Sequence, residues 1–248
     1  MDEALYHQFL EVERTHWWFR ARRDILSTLV TRLVPAGGKV LDLGCGTGYF
    51  LEGLTPRYEA WGVDFSPLAV RMSQARGLAH VRVGTTEDLT AVNQRRYDLV
   101  CLLDVIEHLD DDLGALQKAH EVLQPGGHVL VTVPAYRWMW SRHDELNHHR
   151  RRYTRDELGN VLTRAGFNLE RLTYFNCHLL PLAWAVRTWR RLTHDSGENE
   201  FALPPAWLNE TLRRLFLAER NRLGRGGGYP FGLSVLAVGR AGAAGIRS

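Results

Sequence analysis

The sequence has no long apolar run, little cysteine and no strong excess of charge of either sign. No stretch approaches the roughly 20 consecutive apolar residues that a membrane-crossing helix needs. The opening MDEALYHQFLEVERTHWW is acidic and lacks the apolar segment of a secretory signal. The three cysteines, Cys45, Cys101 and Cys177, are widely spaced and form no C-x-x-C pair. That excludes a disulfide framework and points to a reducing cytoplasm. A net charge of +3 is too mild for general nucleic-acid binding. There is no internal repeat. What is present is a chain of 248 residues, 45% of them hydrophobic, enough for one large α/β domain with a sizeable core.

Along the chain, strand and helix patterns alternate. Residues from about Ala4 to Val34 read as helical, an N-terminal cap over residues 1–34 ahead of a main domain over 35–248. KVLDLG, AWGVDF, HVRVGT, YDLVCLLDV and HVLVTVPA read as five strands. Ser66-Pro67 supplies a helix cap followed by proline in the first turn, and Gly77 ends that helix. Asp110, Asp111 and Asp112 open the next helix, which stops at Pro125-Gly126-Gly127. Thr154-x-x-Glu157 is a capping box. FNLERLTYF and GLSVLAVGR are late strands, and residues 176–229 between them read as a helical insertion. The alternation predicts a Rossmann-like, doubly wound and mostly parallel sheet with helices on both faces. Ligands of such sheets bind beyond the carboxyl ends of the strands, where strand order reverses.

The most specific motif is VLDLGCGTGYF, in which Gly44, Gly46 and Gly48 follow a strand. Asp64 ends the next strand, where a carboxylate can accept from both hydroxyls of a ribose. A dinucleotide-binding oxidoreductase would show G-x-G-x-x-G. Here the spacing is G-x-G-x-G after Asp42, and an acidic residue beside the loop suits a cationic ligand. The motif resembles the first motif of class I S-adenosylmethionine-dependent methyltransferases. GVDFSP resembles that family's second-strand motif, and LQPGGHVLVTVP its entry into the fifth strand. The resemblance covers roughly Val34 to Phe167 plus LSVLAVGR, and it implies seven strands with the last antiparallel. The chain is also similar to a bacterial group, akin to ubiquinone-pathway methyltransferases, that shares HWWFRARR, HDELNHHRRRYT and FGLSVLAV.

The resemblance implies S-adenosylmethionine as cofactor. Gly44, Gly46 and Gly48 would contact its methionine and ribose part through backbone, and Asp42 would orient its amino group. Asp64 would hold the ribose, with Phe65 on the adenine. Leu103 and Asp104 would lie near the sulfonium. Thr85 and Thr86 stand where relatives often read G-D-A-E, so Thr85 offers the adenine one neutral acceptor and no charge.

LLDVIEHLD carries Asp104, Glu107 and His108, positions i, i+3 and i+4 of a helical turn. His108, with Glu107 and His149, is a candidate for removing a proton from an acceptor hydroxyl. Some methyltransferase subfamilies, among them ubiquinone-pathway O-methyltransferases and small-RNA 2′-O-methyltransferases, bind a divalent cation with E-x-x-E-H and a later histidine. The matching set here is Asp104, Glu107, His108 and His149, with aspartate in place of the first glutamate. The alternative is a hydrogen-bonded network without metal, and no metal requirement is expected.

YRWMWSRHDELNHHRRRY, Tyr136 to Tyr153, follows the fifth strand. It reads either as a charged surface or as an acceptor loop. In the second reading Trp138, His143 and Tyr153 line the acceptor pocket, while Arg150 and Arg152 hold an anionic group. In FNCHLLPLAWAVRTWRRL an apolar stretch runs into arginines, which suits a lid, a dimer surface, a membrane-surface helix or core packing. The expected activity is methyl transfer to oxygen of a small or lipid-like acceptor. N- or C-methylation of a natural product or peptide, nucleotide-dependent oxidoreduction and a non-catalytic cofactor-binding role are the alternatives. The expected setting is cytoplasmic, as monomer or homodimer, with peripheral membrane contact open.

Overall fold

The computed structural model describes residues 3–89, 96–193 and 202–242. Helices α1 (Glu3–Val12) and α2 (Trp17–Leu33) precede β1 (Lys39–Leu43), α3 (Tyr49–Glu52), β2 (Glu59–Asp64), α4 (Pro67–Ala75) and β3 (Val81–Val83). Then come β4 (Tyr97–Leu103), α5 (Asp112–Val122), β5 (Leu123–Pro134), α6 (Arg142–Leu146), α7 (Arg155–Arg164) and β6 (Phe167–Phe175). Helices α8 (Leu180–Thr193), α9 (Ala206–Leu217) and α10 (Glu219–Gly224) lead to β7 (Ser234–Ala241). The seven strands lie in the order β3-β2-β1-β4-β5-β7-β6. All pairings are parallel except those of β7, which runs antiparallel to both β5 and β6. This is the expected doubly wound sheet with an antiparallel final strand.

Alternation along the strands divides the core in two. Leu41, Leu43, Val100, Leu102, Val129 and Val131 face one apolar cluster, completed by Leu116 of α5 and Leu158 and Leu162 of α7. Val40, Leu99, Cys101 and Leu130 face the other, with Ile25 and Leu26 of α2, Phe216 of α9 and Leu223 of α10. Helices α2, α9 and α10 therefore belong to the core of the main sheet. Part of the predicted insertion, residues 194–201, lies outside the described residues.

Two boundaries differ from the sequence reading. The N-terminal stretch is two helices, because Glu13 is drawn into a buried pairing with Arg76 and the Thr47 hydroxyl. His16 then starts α2 by accepting from the Trp18 amide through Nδ1 at 3.3 Å. Strand β5 starts at Leu123, opposite Tyr97, and an irregularity over Pro125-Gly126-Gly127 separates that pairing from the regular ladder at His128.

The capping box at α7 is present in full. Glu157 N donates to Thr154 Oγ1 at 3.3 Å, and Thr154 N donates to Glu157 Oε2 at 2.7 Å. Thr154→Ala is expected to cost about 0.5–2 kcal/mol in chemical denaturation, with no change in ligand affinity.

Candidate active site

Strand order reverses between β1 and β4, and a cavity of about 850 Å³ opens beyond the carboxyl ends of these strands. This volume is typical of a small-molecule site. One half is built on the glycine loop. Gly44 and Gly46 have φ of +77° and +55°, a backbone state that side chains disfavour. A Cβ at Gly44 would fall 2.6 Å from the Val105 side chain, whereas the space at Gly46 is open for a ligand. Asp64 ties the loop to β2: its Oδ2 accepts from Gly46 N at 2.8 Å and its Oδ1 from Ser66 N at 2.9 Å. The Tyr6 hydroxyl reaches the same Oδ1 at 3.4 Å. Burial pushes the Asp64 carboxyl up, and the two backbone N–H groups oppose that shift. Phe65, Gly84, Thr85, Thr86 and Glu87 complete this half.

The cavity continues past Leu103 and Asp104. Asp104 has φ +59° and pairs with Arg22 of α2, whose Nη2 donates to Oδ2 at 2.8 Å and to Thr132 Oγ1 at 3.1 Å. Arg22 also lies under the Trp18 ring, 5.1 Å from its centroid. Burial pushes the Asp42 carboxyl up to about 8, against the pull of the Arg22 charge. Asp42 Oδ1 and Arg22 Nε are both buried with no hydrogen-bond partner among the described residues. Of the two, Arg22 lines the cavity, and its unsatisfied Nε suits the carboxylate of an amino-acid group.

The far half contains Glu107, His108 and His149, whose ligand-capable atoms lie within 4.8 Å of one another. Glu107 is fully buried, and neither of its oxygens has a partner among the described residues. Burial, then the Asp104 charge, holds its carboxyl well above the usual range. Burial lowers His108 to about 4, so its imidazole is neutral at pH 7. The His108 and His149 rings meet edge to face at 4.7 Å. His149 Nδ1 lies 2.8 Å from Oδ1 of the buried Asp144. An ionised Asp144 fixes the His149 proton on Nδ1, which leaves Nε2 as the acceptor in the neutral ring. Arg152 secures Asp144 in turn, with Nε to Oδ1 at 2.7 Å and Nη2 to Oδ2 at 2.9 Å. Aromatic residues of α1 and α2, Phe9, Trp17, Trp18 and Phe19, complete the wall.

A family model described as a methyltransferase domain matches residues 16–172. The chain belongs to the class I S-adenosylmethionine-dependent methyltransferases. The ubiquinone biosynthesis O-methyltransferase of Alkalilimnicola ehrlichii is 34% identical over 103 residues, 39% of this chain and 42% of that protein. That of Pseudomonas syringae pv. tomato is 30% identical over 141 residues, 53% of this chain and 60% of that protein. This methyltransferase chain thus spans about half the length of the curated relatives it matches. Among solved structures, a chain of the complex between the Haloferax volcanii Trm112 methyltransferase activator and its methyltransferase aligns with a TM-score of 0.65. The identity is 20%, over 99% of this chain and 97% of that chain. The TehB-like SAM-dependent methyltransferase of Corynebacterium glutamicum aligns with a TM-score of 0.55 at 17% identity, over 88% of this chain and 86% of that chain. These structural likenesses are evidence of the fold.

Most of the methyltransferase residues singled out in the sequence converge on the cavity: Gly44, Gly46, Asp64, Phe65, Thr85 and Thr86, then Leu103, Asp104, Glu107, His108 and His149, with Arg150 and Arg152. The others are placed elsewhere. Asp42 is buried off the cavity wall, on the β1 face beside Cys101 of β4. Gly48 is also off the wall; its φ of +79°, and the 2.5 Å at which a Cβ there would fall from the Leu78 side chain, make it a packing glycine. Tyr153 is buried and gives its hydroxyl to Asp112 Oδ2 at 2.6 Å. Trp138 is exposed, stacked on Tyr136 at 5.3 Å. The His143 side chain lies outside the described residues. Arg152 lines the cavity, but its guanidinium is committed to Asp144 and the Ala135 carbonyl. Arg150 pairs with exposed Asp110 and donates to the His108 carbonyl at 3.0 Å. Within the proposed metal set, Asp104 turns to Arg22 and leaves a trio. The sequence assigned no site role to Tyr6, Arg22 or Asp144. The Trp18–Arg22 spacing of i, i+4 in HWWFRARR was the available signal for Arg22.

Proposed function

We propose that the chain methylates an oxygen atom of a small, lipid-like acceptor. The observation that supports this most is the buried Glu107–His108–His149 cluster. It shares one cavity with the glycine loop and Asp64, and it keeps an unpartnered carboxyl among the described residues. S-adenosylmethionine, when bound, supplies a sulfonium methyl group open to in-line displacement by a nucleophile. Gly46 and Asp64 would hold its ribose end, with Arg22 and Gly44 at its amino-acid end. The aromatic wall excludes water, and positioning the acceptor accounts for much of the rate. His149, oriented by Asp144, takes the acceptor's hydroxyl proton at Nε2 as its oxygen becomes the nucleophile. Glu107, whose carboxyl burial pushes well up, would donate a hydrogen bond from its protonated form to an acceptor oxygen. The wall of Phe9, Trp17, Trp18 and Phe19 supports an apolar acceptor, as does the ubiquinone-pathway role named for the relatives above. A cytoplasmic setting accords with the three free cysteines.

The test is turnover of hydroxylated aromatic and prenylated acceptors, with the product read by mass spectrometry. His149→Ala is expected to lower kcat by about 10²–10⁴ while calorimetric S-adenosylmethionine affinity holds. Full turnover by that variant, or methylation at nitrogen or carbon, would overturn the reading. A divalent cation at the Glu107–His108–His149 trio is the second reading, favoured by the 4.8 Å grouping. With Asp104 held by Arg22, we expect unchanged turnover in excess chelator. Loss under chelator with recovery on adding Mg²⁺ or Mn²⁺ would instead make the trio a metal site.

A further inference from the structure

The cavity extends past the Glu107–His108–His149 cluster, towards the edge of the sheet. Leu103 ends β4, Pro134 ends β5, Ser234 begins β7 and Asn176 follows β6, and all four line the same cavity. In the order β4-β5-β7-β6 these positions cross three strand spacings, roughly 14 Å at the level of the backbone. Glu107 and His108 follow β4, and His149 follows β5, so the cluster belongs to one side of this floor. The β6 side has no part in the mechanism above. Pro134 and Leu233, at the ends of the strands between, are apolar.

The backbone at Asn176 is fixed from two directions. Its N–H donates to Glu219 Oε2 at 2.7 Å, and its carbonyl accepts from Leu233 N at 3.2 Å. Glu219, fully buried at the start of α10, also accepts through Oε1 from Cys177 N at 2.7 Å and His178 N at 3.0 Å. Asn176 has φ +57°, a state in which asparagine is one of the few side chains tolerated. Its side chain takes no part in this anchoring. Asn176 is only 3% exposed, yet its Oδ1 is buried without a hydrogen-bond partner among the described residues. A buried carbonyl oxygen left unpaired is costly, and in a residue that lines a cavity a bound group is the natural partner.

We propose that Asn176 is an acceptor-binding residue, which holds a second hydroxyl of an elongated acceptor whose first hydroxyl lies at His149. A half-turn about χ2 exchanges the oxygen and nitrogen of the carboxamide, and a hydroxyl pairs with either. The acceptor class is then a rod-shaped, largely apolar molecule with a hydroxyl near each end. Asn176 sets how far the molecule enters, and Glu219, through the backbone of the turn, sets the place of Asn176. The placement of the first hydroxyl rests on the O-methylation proposed above; the hydroxyl contact at Asn176 does not.

The test is calorimetric binding of stilbenes and biphenyls that carry one para hydroxyl, or one at each end, to the full chain saturated with S-adenosylhomocysteine. In at least one of the two series the parent is expected to bind the dihydroxy compound about tenfold more tightly than its monohydroxy partner. Asn176→Gly, which accepts the positive φ without strain, should remove that preference. It should leave the monohydroxy compounds and S-adenosylhomocysteine bound as in the parent. The proposal is overturned if the parent prefers the dihydroxy compound by about twofold or less in both series, which two equivalent ends give by statistics alone. It is also overturned if Asn176→Gly keeps the full preference, since asparagine would then serve only the conformation of the turn. Replacing S-adenosylhomocysteine with S-adenosylmethionine separates the two readings. A dihydroxy compound bound with the Asn176-dependent preference, yet methylated at carbon or not at all, would remove O-methylation and leave the Asn176 contact standing.

Discussion

Asp64→Ala is expected to weaken S-adenosylmethionine binding by roughly 1.5–3 kcal/mol, about ten- to a hundredfold in Kd. A carboxylate offers about four lone-pair sites. Gly46 N and Ser66 N take one each, and the Tyr6 hydroxyl holds a third loosely at 3.4 Å. That leaves room for the two hydroxyls of a ribose, with Tyr6 giving way. The substitution removes those acceptors and also leaves the Gly46 amide, which fixes the glycine loop, without its anchor. Asp64→Asn keeps one acceptor oxygen and should fall between alanine and the parent. Isothermal titration measures all three. Parent-like affinity for Asp64→Ala would show that the ribose is held elsewhere in the cavity.

The meeting of the glycine loop with Asp64 was legible in the sequence because its geometry is local. A strand running into glycines with positive φ, followed one strand later by a carboxylate, requires only the order of a parallel sheet to bring Gly46 and Asp64 together. The sheet itself was legible for the same reason, since continuous apolar strands such as YDLVCLLDV are buried on both faces. The other end of the cavity was legible in outline, in that Glu107, His108 and His149 do meet. Its finer assignments depended on tertiary partners that spacing does not encode. Arg152 and Tyr153 are adjacent in the loop, yet one is paired with buried Asp144 and the other with half-buried Asp112. Asp104 could not be separated from its neighbours until Arg22 arrived from a helix 82 residues earlier. The break between α1 and α2 escaped the apolar periodicity because its cause is the buried Glu13–Arg76 pairing.

The other large effect concerns the passage NHHRRRYTRDEL, where three neighbouring arginines have different tasks. Arg152 is buried and bidentate on Asp144, which is itself fully buried. Burial alone would push the Asp144 carboxyl up, but the hydrogen bonds from His149 and Arg152, with the Arg152 charge, outweigh it and leave the group well below the usual carboxylate range. Arg152→Ala strands that carboxylate with, among the described residues, only His149 and the Ser141 amide and hydroxyl as partners. Breaking a buried pair in this way costs about 3–5 kcal/mol, a large share of the roughly 5–15 kcal/mol that holds a domain folded. Arg150→Ala, which removes an exposed pairing with Asp110, should cost about 1 kcal/mol or less. Arg151, which reaches the Leu109 and Asp110 carbonyls and the Asp112 carboxylate, should fall between them. The sign of the pH dependence follows from the lowered Asp144 carboxyl. Its stabilising contribution is complete above the ordinary carboxylate range and is lost as pH falls through the depressed folded value. The parent should therefore lose stability towards acid more steeply than a variant in which Asp144→Asn and Arg152→Met remove both charges. Urea denaturation of these variants from pH 7 down to the acid limit of folding is the measurement. Equal midpoints for Arg152→Ala and Arg150→Ala would mean that the Asp144 pair does not hold the loop, and that His149 is oriented by something else.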